Sequence, residues 1–410
     1  MATSSSGSDR RLDLVVFGAT SFVGQILCRH LVDRHGIDGP LRWAIAGRSA
    51  AKLDATAAET GAEVERIVAD ASDAAALMTL AESTRVVVST VGPYALYGSP
   101  LVGAVAAAGT DYCDLTGEPQ WMRRMIDAHQ AEAEASGARI VHASGFDSIP
   151  SDLGVWFTQQ RAVESFGQAC SRIDMRVEAM KGGASGGTIA SMLNLLEEAA
   201  ADPQLRKQLN DPYLLAPPDH RNGPSQPDVL RPTKDDAGRW LGPFVMAGVN
   251  TRVVQRTHAL LGRPWGREFR YQEAMATGTG PLGAAKATGL AAGTAAVVGL
   301  GALGPTRSLL ARVLPKPGEG PSPEAQQRGS FDVRFTGTTA DGRTIETQVT
   351  GDRDPGYGST AKMLGETAVA FLDLDRAEVG GGFWTTATAF GDRLVERLEA
   401  HAGLRFTVRS

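Results

Sequence analysis

Leu12-Asp13-Leu14-Val15-Val16-Phe17-Gly18-Ala19-Thr20-Ser21-Phe22-Val23-Gly24 is the stretch on which the fold of this chain turns. A run of strand length, mostly β-branched and apolar, passes through a Gly-led turn into the helical pattern Val23–Val32. Glycine at position 18 permits the tight turn, and Gly24 lets helix and strand approach closely. The amides that follow Gly18 then converge on a helix start, where a pyrophosphate is held by unpaired N–H groups and the helix dipole. Gly18, Thr20, Ser21, Phe22, Val23 and Gly24 are therefore candidate phosphate-loop residues. The spacing is G-x5-G, with Ser21 where many such loops carry a middle glycine. Serine fits there if its φ is negative. An ordinary strand-to-helix turn has the same local pattern, and the surrounding alternation decides between the two.

That alternation runs outward from the loop. Arg42–Ala46, Val64–Ala69, Val86–Thr90, Asp111–Asp114 and Arg139–Ala143 read as further strands, and helical patterns separate them. Six short strands with intervening helices predict an α/β fold whose N-terminal part, residues 12–150, is a Rossmann doubly wound parallel sheet. Residues 1–11 are Ser-rich and read as a flexible tail. After Ser144 the alternation fails. Ile173–Met180, Trp265–Ala274, Ser330–Phe335 and Thr344–Thr350 predict a second, α+β domain over 151–358, built on a mixed or antiparallel sheet. Asp202–Pro243 is Pro-rich and reads as a long surface excursion, a candidate lid. Residues 359–410 read as C-terminal helices that pack back on the first domain.

The end of the second strand carries Gly47-Arg48-Ser49, with Lys52 one turn later and no acid before Asp54. An acid at this place holds the ribose 2′-hydroxyl of NAD, whereas Arg48 and Lys52 suit a 2′-phosphate. The expected cofactor is NADP(H) rather than NAD(H); two solvated charges at a helix start are the plainer alternative. Asp70 and Ala71, after the third strand, fall at the adenine edge. Thr90, Val91, Gly92 and Pro93 end the fourth strand, where the nicotinamide half belongs.

Composition limits the alternatives. With 410 residues, 42% hydrophobic and 21% charged, the chain suits two soluble domains. A net charge of −5 argues against a nucleic-acid surface. Three scattered cysteines and seven dispersed histidines offer neither a disulfide framework nor a metal-ligand set. The start lacks the apolar core of a signal peptide, so a cytoplasmic protein is expected.

Several segments together carry a family likeness. Gly18–Gly24, Ala46–Ser49, Thr90–Tyr94, Gly109-Thr110-Asp111-Tyr112-Cys113-Asp114-Leu115-Thr116-Gly117-Glu118, Gly145–Leu153, Lys181–Thr188 and Pro315–Pro321 form an ordered series along nearly the whole chain. The series resembles the saccharopine-dehydrogenase-like oxidoreductases, with the nearest likeness to the trans-acting enoyl reductases of actinobacterial polyketide lipid biosynthesis. The resemblance implies NADPH-dependent reduction of a carbon–carbon double bond in an acyl thioester, carried by a polyketide synthase that lacks its own reductase. Such chemistry adds hydride at the β-carbon, stabilises an enolate and delivers a proton to the α-carbon. Tyr94 and Tyr97, both after the fourth strand, are candidate acids or packing groups. Asp147 is a third candidate, and it serves equally well to hold its own turn. His142 reads as structural.

Ser185, in the glycine run Gly182–Gly187, and Thr188, just after it, could receive the substrate at a helix start or simply cap a turn. Ala287–Thr306 is uncharged and rich in Ala and Gly. It is too weakly hydrophobic for a convincing span, so an acyl-chain lid or a homodimer contact is expected, with peripheral membrane contact left open. Two other functions remain at this point. An imine reductase of the saccharopine type would need clustered Arg or Lys in the second domain, and a catalytically inactive cofactor-binding scaffold would need none of the acids. A short-chain carbonyl reductase is set aside, because no tyrosine has Lys four residues later.

Overall fold

The computed structural model describes residues 10–183, 186–302, 304, 306–307 and 320–409. The first half builds β1 (Leu12–Phe17), α1 (Phe22–His35), β2 (Trp43–Gly47), α2 (Ala50–Thr60), β3 (Glu65–Val68), α3 (Ala74–Ser83) and β4 (Thr84–Ser89). It continues through α4 (Tyr94–Tyr97), α5 (Ser99–Ala108), β5 (Asp111–Asp114), α6 (Pro119–Ser136), β6 (Arg139–Val141) and α7 (Ile149–Phe166). The strands pair in parallel in the order β6-β5-β4-β1-β2-β3. This is the doubly wound Rossmann order, whose ligand crevice lies where the order reverses, between β1 and β4. β1 is buried along its whole length, as a central strand covered on both faces must be. Its one charge, Asp13, sits at the far edge of the sheet and accepts from the Arg42 amide (3.0 Å) and guanidinium (2.8 Å). Arg10, expected in the tail, instead donates to the carbonyls of Ala81 (2.7 Å) and Thr84 (2.6 Å). The folded unit therefore includes Arg10, and residues 1–9 of the expected tail lie outside the described residues.

The second half adds β7 (Cys170–Lys181), α8 (Gly186–Ala201), α9 (Pro203–Gln208), β8 (Thr233–Lys234), β9 (Trp240–Gly242), α10 (Ala247–Leu260), β10 (Arg270–Gly278) and α11 (Gly280–Ala302). Then follow α12 (Pro323–Gln327), β11 (Ser330–Thr339), β12 (Thr344–Gly351), α13 (Gly358–Ala370), β13 (Gly382–Trp384), α14 (Thr386–Ala389), α15 (Asp392–His401) and β14 (Leu404–Val408). The second sheet runs β14-β12-β11-β7-β10-β9-β8. It is mixed: β7 and β10 are parallel, and the other pairs are antiparallel. β11 alternates buried and half-buried residues, the pattern of a sheet with one covered face.

The last fifty residues depart from the helical expectation, because they also give one strand to each sheet. β13 extends the first sheet beside β6, and β14 extends the second beside β12. On α13, buried Glu366 meets His30 of α1 at 2.8 Å and Arg397 of α15 at 2.7 Å. Those partners hold its carboxyl down to about 2 despite burial. The Pro-rich excursion is not a free lid either. Tyr213–Ala216 is buried, and the Arg256 and Arg123 guanidinium groups hold the Leu215 and Ala216 carbonyls. α11 is the one helix among the described residues long and apolar enough to cross a membrane. It packs on β9, β10 and α8, yet most of it faces outward, with Leu282, Leu290, Val298 and Leu300 exposed. Lys286, Gly289 and Leu290 of this helix line an open cleft with Glu178 and Met275–Gly278, and its exposed face leaves room for the acyl-chain or protomer contact expected of the segment.

Candidate active site

Gly18 has φ +89°, a left-handed conformation that suits glycine alone at such a tight turn. A Cβ at Gly24 would stand 2.4 Å from the Gly18 carbonyl oxygen, so α1 closes on the loop as nearly as backbone allows. Ser21 is the N-cap of α1 with φ −73°, the negative torsion that serine needs there. Its hydroxyl accepts from the Gly24 amide (2.9 Å) and meets Thr90 Oγ1 (2.9 Å), which donates to the Gly18 carbonyl (2.9 Å). The missing middle glycine is thus replaced by a cap that ties the loop to the end of β4. The amides of Phe22 and Val23, in the first turn, have no acceptor within the helix and point out of its N-terminus. Thr20 reaches Gly47 at the end of β2, so the loop and the two strand ends form one cradle.

Ser49 caps α2 through the Lys52 amide (3.4 Å). Arg48 and Lys52 are exposed, and among the described residues neither forms an ion pair. Asp70 is also exposed; its carboxylate accepts from the Ser72 amide (2.9 Å) and hydroxyl (2.7 Å), which hold its pKa down, with Arg48 adding a smaller electrostatic pull. Ala71 lies half-buried beside it. Two free cations with the acid occupied by its own turn suit a phosphorylated ribose. Thr90, Val91, Gly92 and Pro93 lie along the mouth of the crevice, and the Gly92–Pro93 bond is cis.

Of the two roles open to Tyr94, acid or packing group, its surroundings favour packing. Its hydroxyl donates to the Ser89 carbonyl (2.9 Å) and accepts from the Leu115 amide (3.2 Å), and its ring is 5% exposed. Burial and the neighbouring Asp114 push its pKa well up. It is a strut between the ends of β4 and β5 rather than a proton donor. Tyr97, on the one-turn α4, is about half exposed (49%) and keeps its phenol at the surface beside the crevice.

Asp147 lies in the turn between β6 and α7. Its carboxyl faces Gly117 and Gly145, with Met246 from before α10 beside Gly117. Its own backbone amide donates to it and opposes the effect of burial. Burial, aided by the Asp114 carboxylate, pushes its pKa up to about 7. Asp114 itself is occupied: it meets His142 Nδ1 at 2.7 Å and accepts from the Thr116 and Ala143 amides (both 3.1 Å). His142 is packed against Trp121.

Two residues without a role in the sequence reading organise this edge. Glu118, 1% exposed, accepts from the Tyr94 amide (2.8 Å), the Ala95 amide (3.0 Å) and the Ser191 hydroxyl (2.8 Å). It thereby latches α8 of the second half to the loop after β4. Asp354 receives the Gly183 and Gly356 amides, and the Tyr357 hydroxyl receives the Gly186 amide (3.2 Å) while its ring meets Phe22 edge-on at 4.8 Å. Gly183 and Gly186 are so tied to the Asp354–Tyr357 turn, which touches Phe22 of the phosphate loop. Gly117-Glu118 stood in the quoted motif series, but its partner Ser191 lies 73 residues away, and no local pattern joins them. Ser185 lies outside the described residues; Thr188 falls in the first turn of α8, and its side chain is likewise outside them.

A parallel Rossmann crevice with a capped phosphate loop, free cations after β2 and an acid after β6 defines a dinucleotide-dependent oxidoreductase. Residues 14–141 match the saccharopine dehydrogenase NADP binding domain, and this part of the chain binds NADP(H). A Mycobacterium tuberculosis protein named as a trans-acting enoyl reductase is 43% identical over 412 residues, covering 96% of this chain and 97% of its own. A trans-acting enoyl reductase of Mycobacterium bovis is 40% identical over 423 residues, covering 98% and 99%. The chain belongs to the trans-acting enoyl reductase family. Its fold is also that of apo saccharopine dehydrogenase (L-Glu forming) from Saccharomyces cerevisiae, at TM-score 0.50 and 14% identity over 97% of this chain and 100% of that one.

Proposed function

We infer that the chain uses NADPH to reduce the carbon–carbon double bond of an α,β-unsaturated acyl thioester, acting in trans on a chain carried by a polyketide synthase. The observation that carries the reading, beside the family, is the isolated Asp147 carboxyl at the nicotinamide end. Phe22, Val23 and Ser21 would hold the pyrophosphate, and Arg48 and Lys52 the 2′-phosphate. When bound, the cofactor supplies the hydride.

The residues of the chain supply the rest. A carboxyl that titrates near 7 is half protonated at neutral pH, the condition for a general acid. Asp147 gives its proton to the α-carbon, or to the enolate oxygen from which it passes there, and regains one from solvent. Tyr94 and Glu118 set the shape of the loop, and the Glu118–Ser191 latch keeps α8 over it so that water is excluded. The reading places the protein in the cytoplasm, and the exposed apolar face of α11 supports contact with the synthase, a second copy or a lipid surface.

The test is direct. The purified protein, NADPH and a long-chain 2-enoyl pantetheine thioester should yield the saturated thioester by mass spectrometry, with matching loss of NADPH absorbance. A protein that binds NADPH but leaves every enoyl thioester unchanged would be the inactive scaffold instead.

A further inference from the structure

Beyond the active site, α10 carries a second polar constellation at its other end. Asn250, near its start, bonds to Ser148 beside Asp147 (2.9 Å). His258 lies eight residues on, about 12 Å along the helix at 1.5 Å per residue. There, His258, Gln255 and Arg263 meet His220, Tyr213 and Arg267 around a pit of about 10 Å³, and none of the lining side chains is acidic. Four nitrogens of these lining residues are buried without a hydrogen-bond partner: Gln255 Nε2, Arg263 Nη2, His220 Nδ1 and His258 Nδ1. Gln255 is 2% exposed and His258 5%. Unpartnered buried polar atoms are uncommon, and four around one pit call for an occupant.

The backbone that carries one of the cations is also strained. Arg263 has φ +64°, a left-handed conformation rare for a residue with a side chain, and its amide closes on the His258 carbonyl (2.8 Å). Among the described residues neither Arg263 nor Arg267 forms an ion pair. His258 is fixed by stacking on Trp265 at 4.9 Å and by its Nε2, which donates to the Gly266 carbonyl (2.9 Å). That bond leaves Nδ1 as an acceptor in the neutral ring.

We propose that this pit binds a phosphate-type oxyanion, one oxygen seated among Gln255, Arg263, His220 and His258 and the rest at the mouth near Arg267. The pit holds one water-sized atom, which fits an oxygen and not a larger body. Guanidinium and amide N–H groups donate to the anionic oxygens, and the acceptor at His258 Nδ1 suits the hydroxyl of a hydrogen phosphate. Sulfate, which carries no proton at neutral pH, lacks that last bond. The ligand would bridge α10 to the Tyr213–Pro224 part of the Pro-rich excursion. It shares no residue with the phosphate loop Gly18–Gly24.

Arg263→Gly tests the proposal without removing a fold-bearing group, since glycine adopts φ +64° without strain. With NADP+ saturating, inorganic phosphate at matched ionic strength should raise the Tm of the wild type by about 2–4 °C. Sulfate should do so less. Arg263→Gly and the isosteric Gln255→Glu should each abolish the phosphate response while keeping the unliganded transition cooperative. A free phosphate monoester such as phenyl phosphate reports whether an ester is accepted: a response equal to that of phosphate assigns a phosphoryl group, and none assigns inorganic phosphate. No wild-type response, an equal response in both variants, or a crystal structure from phosphate buffer with a lone water in the pit would overturn the proposal.

Discussion

Asp147→Asn separates catalysis from stability in opposite directions. The wild-type carboxyl is raised from 3.8 to about 7, a shift of about 3 units. At 1.36 kcal/mol per unit this is about 4 kcal/mol at full desolvation, and about half of that once solvent reaching a half-buried group is allowed for. The sign follows from proton counts. Between the unfolded and folded pKa the folded state holds the extra proton, so the stability that Asp147 confers at low pH is lost as pH rises to about 7. Asparagine keeps the shape and carries no charge to desolvate. Asp147→Asn should therefore gain on the wild type by about 2 kcal/mol between pH 4 and pH 8. Its kcat should nevertheless fall by roughly 10²–10⁴, the range for loss of a general acid. The wild-type kcat should decline above pH 7, and the residual rate of the variant should be flat. Thermal or urea unfolding from pH 4 to 8, alongside kcat over the stable range, decides the matter. A variant equally destabilised at every pH, or one that keeps its kcat and its pH profile, refutes the role given to Asp147.

Three other outcomes are expected. Arg48→Ala should cost NADPH affinity roughly 10- to 100-fold, as loss of a charge-assisted contact does, while leaving NADH unchanged; equal wild-type affinities in a fluorescence titration would falsify the NADP(H) preference. Gly24→Val should abolish cofactor binding or the fold, because even a Cβ falls 2.4 Å from the Gly18 carbonyl oxygen, and normal NADPH binding by that variant would mean that the loop is misassigned. Glu118→Gln leaves one of two buried amides facing another donor, so it should destabilise by about 1–3 kcal/mol, whereas Ser191→Ala should mainly raise the KM for the acyl substrate; a thermal scan and steady-state kinetics distinguish the two effects.

The cofactor half was legible because its determinants are local. β1 and β5 have the bounds read from the sequence, whereas α1 starts one residue earlier than read, at Phe22, with Ser21 as its cap. The remainder depends on contacts remote in sequence. β13 is three residues long, too short to show a period, and exists only because β6 offers an edge. The strand expected at Trp265–Ala274 is displaced to Arg270–Gly278, since Trp265 and Phe269 pack around His258 instead of entering the sheet. Tyr94 stands where a nicotinamide-side phenol would stand, but its hydroxyl turns inward to Ser89 and Leu115, and chain position says nothing of rotamer. The isolation of Asp147 is likewise a product of assembly, because Gly117, Gly145 and Met246 come from three separate segments.

The central claim is that hydride goes to the β-carbon of an enoyl thioester and a proton from Asp147 to the α-carbon. NADPH deuterated at the transferring C4 position, incubated with the wild type and a 2-enoyl thioester in ordinary water, tests it most directly. The account predicts a saturated product with one deuterium at the β-carbon and none at the α-carbon, while the same reaction in heavy water with unlabelled NADPH reverses the pattern. Deuterium at the α-carbon, label in a carbonyl-derived alcohol, or no label in any acyl product would contradict it.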